Sequence, residues 1–195
     1  MLGNDYSIDN SGRNEGVIVA QNNGSIDISI QKAVKIPSLI STIVKSLGDV
    51  CSYDEGRPTV PQEFKPDEKI EYNSVIKYKE IINNFAAFYN TCENYLNAYD
   101  DSNIRGKAKI LNCVHLWYMN AKGDVLLENK DIGKGDIEIV RENSDRLIDM
   151  VRDKIFETVT SSTIVEVMYI EDMNLGITCF TCFCFMKCKI LEKPI

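Results

Sequence analysis

The sequence has one histidine, His115, and fewer basic residues than acidic ones. Its 22 lysines and arginines face 29 aspartates and glutamates, a net charge of −7. A protein that binds nucleic acid through the phosphates needs a basic surface, so this balance argues against a nucleic-acid partner. No Glu-x-x-His pair is present, although metal sites inside helical bundles often use one. With no conspicuous nucleophile nearby, His115 is better interpreted as a structural residue than as a catalytic base.

The chain also lacks a long uninterrupted apolar stretch. The run from Leu175 to Leu191 contains Lys187 and Lys189 and is shorter than the about 20 apolar residues that span a bilayer. Residues 1–16 are polar and acidic, without the apolar segment of a secretory signal. These features predict a cytoplasmic protein without a membrane segment.

Cysteine is plentiful but odd in number, and four of the seven residues fall within residues 179–188. Neighbouring cysteines on one helix rarely reach disulfide geometry, so we expect free thiols in a reducing compartment. A structural zinc site needs four converging ligands, whereas these thiols alternate with Phe and Met and point in several directions. We therefore expect core residues here, and neither a metal nor a cofactor. A cysteine-based metal or redox sensor is the alternative.

Hydrophobic periodicity predicts a mainly α fold, a helical bundle of four long helices plus a short one, with an N-terminal β-hairpin-like arm. The run from Leu175 to Leu191 is apolar around most of a helix, which predicts the central helix of the bundle. The other helices are predicted at Pro37–Gly48, Tyr72–Tyr99, Ile104–Glu128 and Asp136–Thr160, with Ile164–Ile170 ambiguous between helix and strand. The predicted divisions are the arm (1–31), a short helix with a proline-rich connector (32–68) and the bundle (69–195).

Three of these helices carry clear apolar patterns. The segment Tyr72–Tyr99 has a heptad seam, and Ile104–Glu128 has two apolar lines, which predicts that it is sandwiched between neighbours. The seam consists of Val75, Tyr78, Ile82, Phe85, Tyr89, Cys92, Leu96 and Tyr99. The predicted inner face of the following helix consists of Ile137, Val140, Leu147, Ile148, Val151, Ile155 and Val159.

The arm combines Asn-x-Gly turn signals with two runs that favour strands. Asn23-Gly24 suits a tight hairpin turn between them. The apolar side chains must be covered by the bundle or by another chain, because an isolated hairpin is marginal in water. We expect these residues to mediate assembly: Val17, Ile18, Val19, Ile26, Ile28 and Ile30. An alternative is self-assembly of the arm by cross-β stacking.

An acidic stripe follows the turn at Gly133–Gly135. It is interleaved with Arg141, Arg146 and Arg152, which indicates a solvated, partly ion-paired face. Such a face also suits a basic partner. The candidate interaction residues here are Glu138, Glu142, Asp145 and Asp149, with Asp153 at the end of the stripe.

Two stretches resemble parts of bacterial conflict-system proteins. Residues 12–28, Gly-Arg-Asn-Glu-Gly-Val-Ile-Val-Ala-Gln-Asn-Asn-Gly-Ser-Ile-Asp-Ile, are similar to short β-arms at the front of such proteins. The tail Phe183-Cys-Phe-Met-Lys-Cys-Lys-Ile-Leu-Glu-Lys-Pro194 resembles the end of the small helical accessory component, or C-terminal module, of ABC-three-component systems. That group includes Lamassu-type antiphage defence systems.

The resemblance implies a non-enzymatic accessory subunit. Such a subunit docks an effector, for example a nuclease, onto an SMC-like or ABC ATPase and helps to hold the effector inactive until foreign DNA ends are sensed. We therefore expect an adaptor whose partners are the ATPase and effector subunits of the same system, with a homo-oligomer also possible. The alternatives are the cysteine-based sensor and the self-assembling signalling protein.

Overall fold

The computed structural model of the chain describes residues 37–51, 66–102, 105–163 and 168–194, and these are mainly helical, as predicted. The helices in chain order are α1 (Leu39–Cys51), α2 (Pro66–Tyr72), α3 (Lys79–Phe85) followed by a 3₁₀ turn (Ala86–Phe88), α4 (Tyr89–Ser102), α5 (Gly106–Glu128), α6 (Asp136–Glu142), α7 (Ser144–Thr160) and α8 (Ile170–Met186). The predicted arm, most of the connector and residues 164–167 lie outside the described residues.

Helix α8 forms the centre of the core, which confirms the prediction for the C-terminal run. Phe180, Phe183 and Phe185 are fully buried, and the helix packs against α1, α3, α4 and α7. It begins at Ile170, earlier than predicted, and ends at Met186. The chain then turns back through Cys188 and Leu191, both at positive φ, and Ile190 and Leu191 are buried.

The main neighbour of α8 is α1, and two glycines bring the helix backbones into contact. A Cβ at Gly176 would lie 2.0 Å from the carbonyl oxygen of Val44, and one at Gly48 would lie 2.2 Å from that of Asp172. Both distances are far below van der Waals contact, so only glycine fits at these positions. The short crossing lets α1 cover α8 with Ile43, Val44 and Leu47.

The predicted helix Tyr72–Tyr99 is wrong as one continuous element. Helix α2 ends at Tyr72, Ser74 adopts a left-handed conformation with φ 55°, and α3 begins only at Lys79. The 3₁₀ turn then separates α3 from α4. The seam nevertheless faces the core, since five of its members, Val75, Tyr78, Ile82, Cys92 and Leu96, are buried.

The predicted helix Asp136–Thr160 is also divided, into α6 and α7. Asn143 ends α6 by donating from its side chain to the carbonyl oxygen of Ile139 at 2.9 Å, an interaction that competes with continuation of the helix. Because of this break the inner face shifts in α6: Ile139 is buried, whereas the predicted Ile137 is 37% exposed. The apolar line of α7, from Leu147 to Val159, is buried as predicted.

Helix α5 is covered on one side only, which corrects the expectation that neighbours sandwich it. The two predicted apolar lines are adjacent on the helix surface, so they merge into one broad buried face that includes Val114, Tyr118, Ala121 and Val125. The opposite face, with Leu116, Met119 and Leu127, is exposed.

A buried lysine on α2 binds the C-terminal end of α8. Lys69 is 2% exposed and its Nζ donates to the carbonyl oxygens of Phe185 at 2.5 Å and Ile190 at 2.7 Å. The ammonium also lies 4.4 Å from the centre of the Phe185 ring. A cation is favourable at the negative end of a helix dipole. Burial nevertheless lowers the pKa of Lys69 to about 8.

Further polar contacts fasten the tail after α8. The side chain of Asn73 donates to the carbonyl oxygen of Glu192 at 2.8 Å and accepts from its N–H at 3.0 Å. The Glu192 carboxylate accepts from Tyr118 and Lys122, both at 2.7 Å. The Nδ1 of His115 lies 3.2 Å from the Lys189 carbonyl oxygen, which gives this histidine the structural role expected of it. The tail is therefore joined to both α2 and α5.

We predict that Gly176→Ala destabilises the fold because its new methyl group overlaps the Val44 carbonyl. Overpacking of this kind costs about 1–3 kcal/mol in the free energy of unfolding. Gly123→Ala on α5 is the matched control: nothing lies within 4 Å of its Cβ, so in dilute solution it should stabilise the protein by about 0.5–1 kcal/mol. Urea denaturation measures both changes, and an equal effect of the two substitutions would contradict the close α1–α8 contact.

We also predict that Lys69 makes stability rise with pH in the alkaline range. Its pKa is about 8 in the folded protein and 10.5 in a free lysine, so between these values the unfolded chain binds more protons. The contribution to the free energy of unfolding therefore increases from pH 8 to 10.5, by about 3 kcal/mol in total. Lys69→Met removes this contribution.

The measurement is urea denaturation of both proteins between pH 7 and 10 under reducing conditions. Burial raises the pKa values of Tyr78, Tyr118 and Cys182, so these groups oppose the trend, but they are common to both proteins. The free energy of unfolding of the wild type minus that of Lys69→Met should increase as the pH rises above 8. A difference independent of pH would contradict the depressed pKa.

Candidate functional site

The site is built on the loop between α2 and α3, and one carboxylate on α7 holds this loop. Asp145 accepts from the backbone N–H groups of Ile76 and Lys77, both at 3.0 Å, and of Tyr78 at 3.3 Å. Three consecutive N–H groups that have no helical partner are thus satisfied by one side chain. The bound loop cannot continue α2 into α3, which explains the break in the predicted helix.

A second carboxylate, one turn further along α7, binds two side chains of the same loop. Asp149 accepts from Lys77 Nζ at 2.6 Å and from the Tyr78 hydroxyl at 2.5 Å. Burial, reinforced by this hydrogen bond, raises the pKa of Tyr78. The hydroxyl therefore stays protonated and donates to Asp149. These contacts fix the loop against α7 on the side of Tyr78.

The same arrangement leaves Ile76 pointing outward. Val75 and Tyr78 are buried on the inner side of the loop, whereas Ile76 between them is 82% exposed. A partner that covers this side chain gains the free energy of apolar burial without having to order the loop that carries it. Ile76 is the most exposed of the large apolar residues in the described part of the chain.

Next to Ile76 lies a cleft of about 430 Å³ at the junction of α6 and α7. It is lined by Ser74, Ile76, Glu138, Arg141, Glu142, Asn143, Ser144, Asp145 and Arg146. The residues come from the loop and from the two sides of the break at Asn143. The cleft therefore lies where both predicted helices are interrupted.

Most polar groups of the cleft already have partners within the protein. Arg141 donates from Nε to the Tyr72 carbonyl oxygen at 2.6 Å and lies over its ring, and Arg146 binds the Glu128 carboxylate through two nitrogens. Glu142 pairs with Lys134. The Glu138 carboxylate accepts no hydrogen bond from another described residue. The cleft thus combines one exposed isoleucine with an acidic edge.

Two of the four predicted interaction residues on the bundle face bind the loop between α2 and α3. Asp145 and Asp149 face the loop, whereas Glu138 and Glu142 lie at the cleft, and whether any of the four meets a partner stays a prediction. The predicted arm residues, Val17 to Ile30, lie outside the described residues. Ile76 was not foreseen. One feature of the sequence indicates its exposure: Ile76 falls between two seam positions, Val75 and Tyr78, so it lies outside the seam.

Three of the four clustered cysteines lie within the core on α8, as predicted, whereas the fourth, Cys188, follows the helix and is half-buried. Cys179, Cys182 and Cys184 are buried, and burial raises the pKa of Cys182 to about 12 and that of Cys184 well above its usual range. The Sγ atoms of Cys92 and Cys179 are 3.5 Å apart, a contact between thiols of α4 and α8. Cys182 and Cys184 are therefore protonated at neutral pH, and a thiol attacks or binds a metal far less readily than a thiolate does.

Within the described ranges, no group of three or more Cys, His, Asp or Glu side chains is arranged to hold a metal ion. Nor is any helix there long and apolar enough to cross a membrane. Comparison of the chain with protein-family models, with curated proteins and with solved structures gives no significant match. The function must therefore be argued from the cleft and the surfaces themselves.

We predict that Asp145→Ala releases the loop and destabilises the protein by about 1–3 kcal/mol, because three N–H groups lose their acceptor. Asp153→Ala, an exposed carboxylate further along α7, is the control and should stay within about 0.5 kcal/mol of wild type. Hydrogen exchange at residues 76–78 should accelerate in Asp145→Ala alone. Unchanged protection there would mean that Asp145 does not hold the loop.

Proposed function

We propose that this protein is a non-enzymatic adaptor that binds other proteins through the cleft at Ile76. The observation that carries the proposal is the position of Ile76, 82% exposed on a loop that Asp145 anchors at three N–H groups. A preformed apolar anchor beside a concave surface is what a protein-binding site requires, because little conformational freedom is lost on binding.

The chemistry of the cleft indicates what kind of segment it accepts. The arginines are engaged by Tyr72 and Glu128, and Glu142 is paired with Lys134, so the carboxylate still available at the edge is that of Glu138. A partner segment that covers Ile76 with an apolar side chain and places a lysine or arginine beside Glu138 complements both features.

The setting implied by the resemblance is a bacterial antiphage defence complex. In that setting the adaptor docks an effector onto an SMC-like or ABC ATPase in the cytoplasm. The fold is compatible with this role, since a rigid helical bundle can present two surfaces to two subunits at once. The defence role rests on the resemblance of the two chain ends, and the cleft supports only the more general role in protein binding.

The alternatives receive less support from the described residues. The contact between Cys92 and Cys179 suits a cysteine-based sensor, but burial keeps the neighbouring thiols of α8 protonated and enclosed. The self-assembling arm depends on residues 1–31, outside the described residues. The cleft at Ile76 favours the adaptor over both.

We predict that Ile76→Glu abolishes partner binding while the bundle stays folded. The tagged full chain, expressed with the proteins of its own operon, should retain ATPase and effector subunits, and Ile76→Glu should retain at least about tenfold less, since a central apolar anchor is worth about 2 kcal/mol or more. Phe156→Glu is the control: Phe156 is an exposed apolar residue on α7, about 15 Å along the helix from Arg146, the last residue that lines the cleft.

Two outcomes would contradict the proposal. A wild-type chain that purifies alone from its native host has no adaptor function under those conditions. A folded Ile76→Glu variant that keeps its partners, as judged by circular dichroism and subunit ratio, would show that the cleft is not the docking surface. Glu138→Lys should weaken binding less than Ile76→Glu and in a salt-dependent way, because it changes an edge charge.

A further inference from the structure

Helix α5 presents a second exposed apolar surface, which shares no residue with the cleft. Leu116 and Met119 are each 55% exposed and Leu127 is 66% exposed, and with Gly123 they follow one line on the outer side of the helix. The buried residues of α5 occupy the opposite side. The α5 outer face consists of Leu116, Met119, Gly123 and Leu127.

Gly123 in the middle of this face has no explanation among the described residues. Glycine weakens a helix interior relative to alanine. Gly48 and Gly176 are required because a backbone carbonyl lies where their Cβ would be, but nothing lies within 4 Å of a Cβ at Gly123. The same chain thus uses glycine for close helix contact at two positions, whereas at Gly123 no described residue makes such a contact.

The α5 outer face is complementary to itself. Met119 and Gly123 lie two residues on either side of residue 121, and Leu116 and Leu127 lie at nearly equal distances from the same point. An antiparallel pair of α5 helices with its two-fold axis near residue 121 places each Met119 over the partner's glycine and each Leu116 beside the partner's leucine. Closed two-fold pairing of one surface with itself is the commonest symmetry of oligomers.

The charges of α5 also favour the antiparallel arrangement. Arg105 and Lys109 lie at the N-terminal end, where they oppose the dipole of their own helix, whereas Asp124, Lys130 and Asp131, the exposed charges without a named partner at or just after the C-terminal end, sum to −1. Antiparallel pairing brings the basic end of one helix to the acidic, dipole-negative end of the other. Parallel pairing would bring like charges together.

We propose that the α5 outer face binds the same face of a second copy of this chain, antiparallel, with Met119 of one copy packed on Gly123 of the other. This self-association is independent of the cleft at Ile76. One helix pair, each helix about 35 Å long, buries less than the about 1,200 Å² typical of tight complexes. The dimer is therefore a weak one whose population depends on protein concentration.

Sedimentation equilibrium of the full chain tests the proposal. The wild type should approach twice its 22.1 kDa mass as its concentration rises, and Gly123→Glu should raise the dissociation constant at least about tenfold because a charged side chain replaces the gap at the crossing. Ile170→Glu, a comparably exposed apolar residue on α8, should associate like the wild type. Circular dichroism confirms that each variant is folded.

Gly123→Ala separates the role in contact from a role in folding. In dilute solution it should raise the melting temperature by about 1–4 °C, and at high concentration it should weaken association. An alanine variant that is more stable and associates as well as the wild type would overturn the proposal. So would a wild type that stays monomeric at high concentration.

Cross-linking tests the orientation. After mild oxidation, a mixture of Met119→Cys and Gly123→Cys chains should form a disulfide-linked pair in higher yield than either variant alone, with the wild type as the background of native cysteines. Efficient self-cross-linking of Met119→Cys alone would indicate a parallel pair and overturn the antiparallel arrangement.

Discussion

The fold depends on the contact between the backbones of α1 and α8. Helix α8 is apolar on nearly all sides, so it must be enclosed, and the closest neighbour reaches it only where Gly48 and Gly176 leave room for a carbonyl group. A helix covered this tightly on one side leaves the remaining sides to α3, α4 and α7. The cysteines and phenylalanines of α8 fill the space that these helices leave, and there the small cysteine side chain behaves as an ordinary apolar residue.

The segment from α2 to the start of α3 connects this core to the surface. At one end Lys69 and Asn73 bind the tail that follows α8, and at the other end Asp145 and Asp149 on α7 bind residues 76–78. Lys69 can stay buried because two carbonyl oxygens and the end of a helix dipole replace part of the water it has lost. The position of Ile76 is thus fixed through two sets of polar contacts to the core.

The two exposed apolar surfaces make different demands on a partner. The cleft combines a single isoleucine with an acidic edge and suits a segment of another protein, whereas the α5 outer face is self-complementary. An adaptor that also forms a weak dimer would present two clefts, and two simultaneous contacts increase apparent affinity without new interactions at either site. The proposed function and the proposed dimer are thus compatible, but neither requires the other.

The sequence by itself determined which side of α7 and of the segment from Val75 to Leu96 faces the core, because apolar periodicity depends only on neighbouring residues along the chain. The all-round apolar character of α8, the seam from Val75 to Leu96 and the inner line of α7 were therefore predictable. The break after Tyr72, the burial of Lys69 and the exposure of Ile76 were not. Only the tertiary structure decided them. Asp145 and Asp149, which bind residues 76–78, and the carbonyl groups that bind Lys69 lie far away in the chain. A hydrogen bond between distant residues leaves no local pattern.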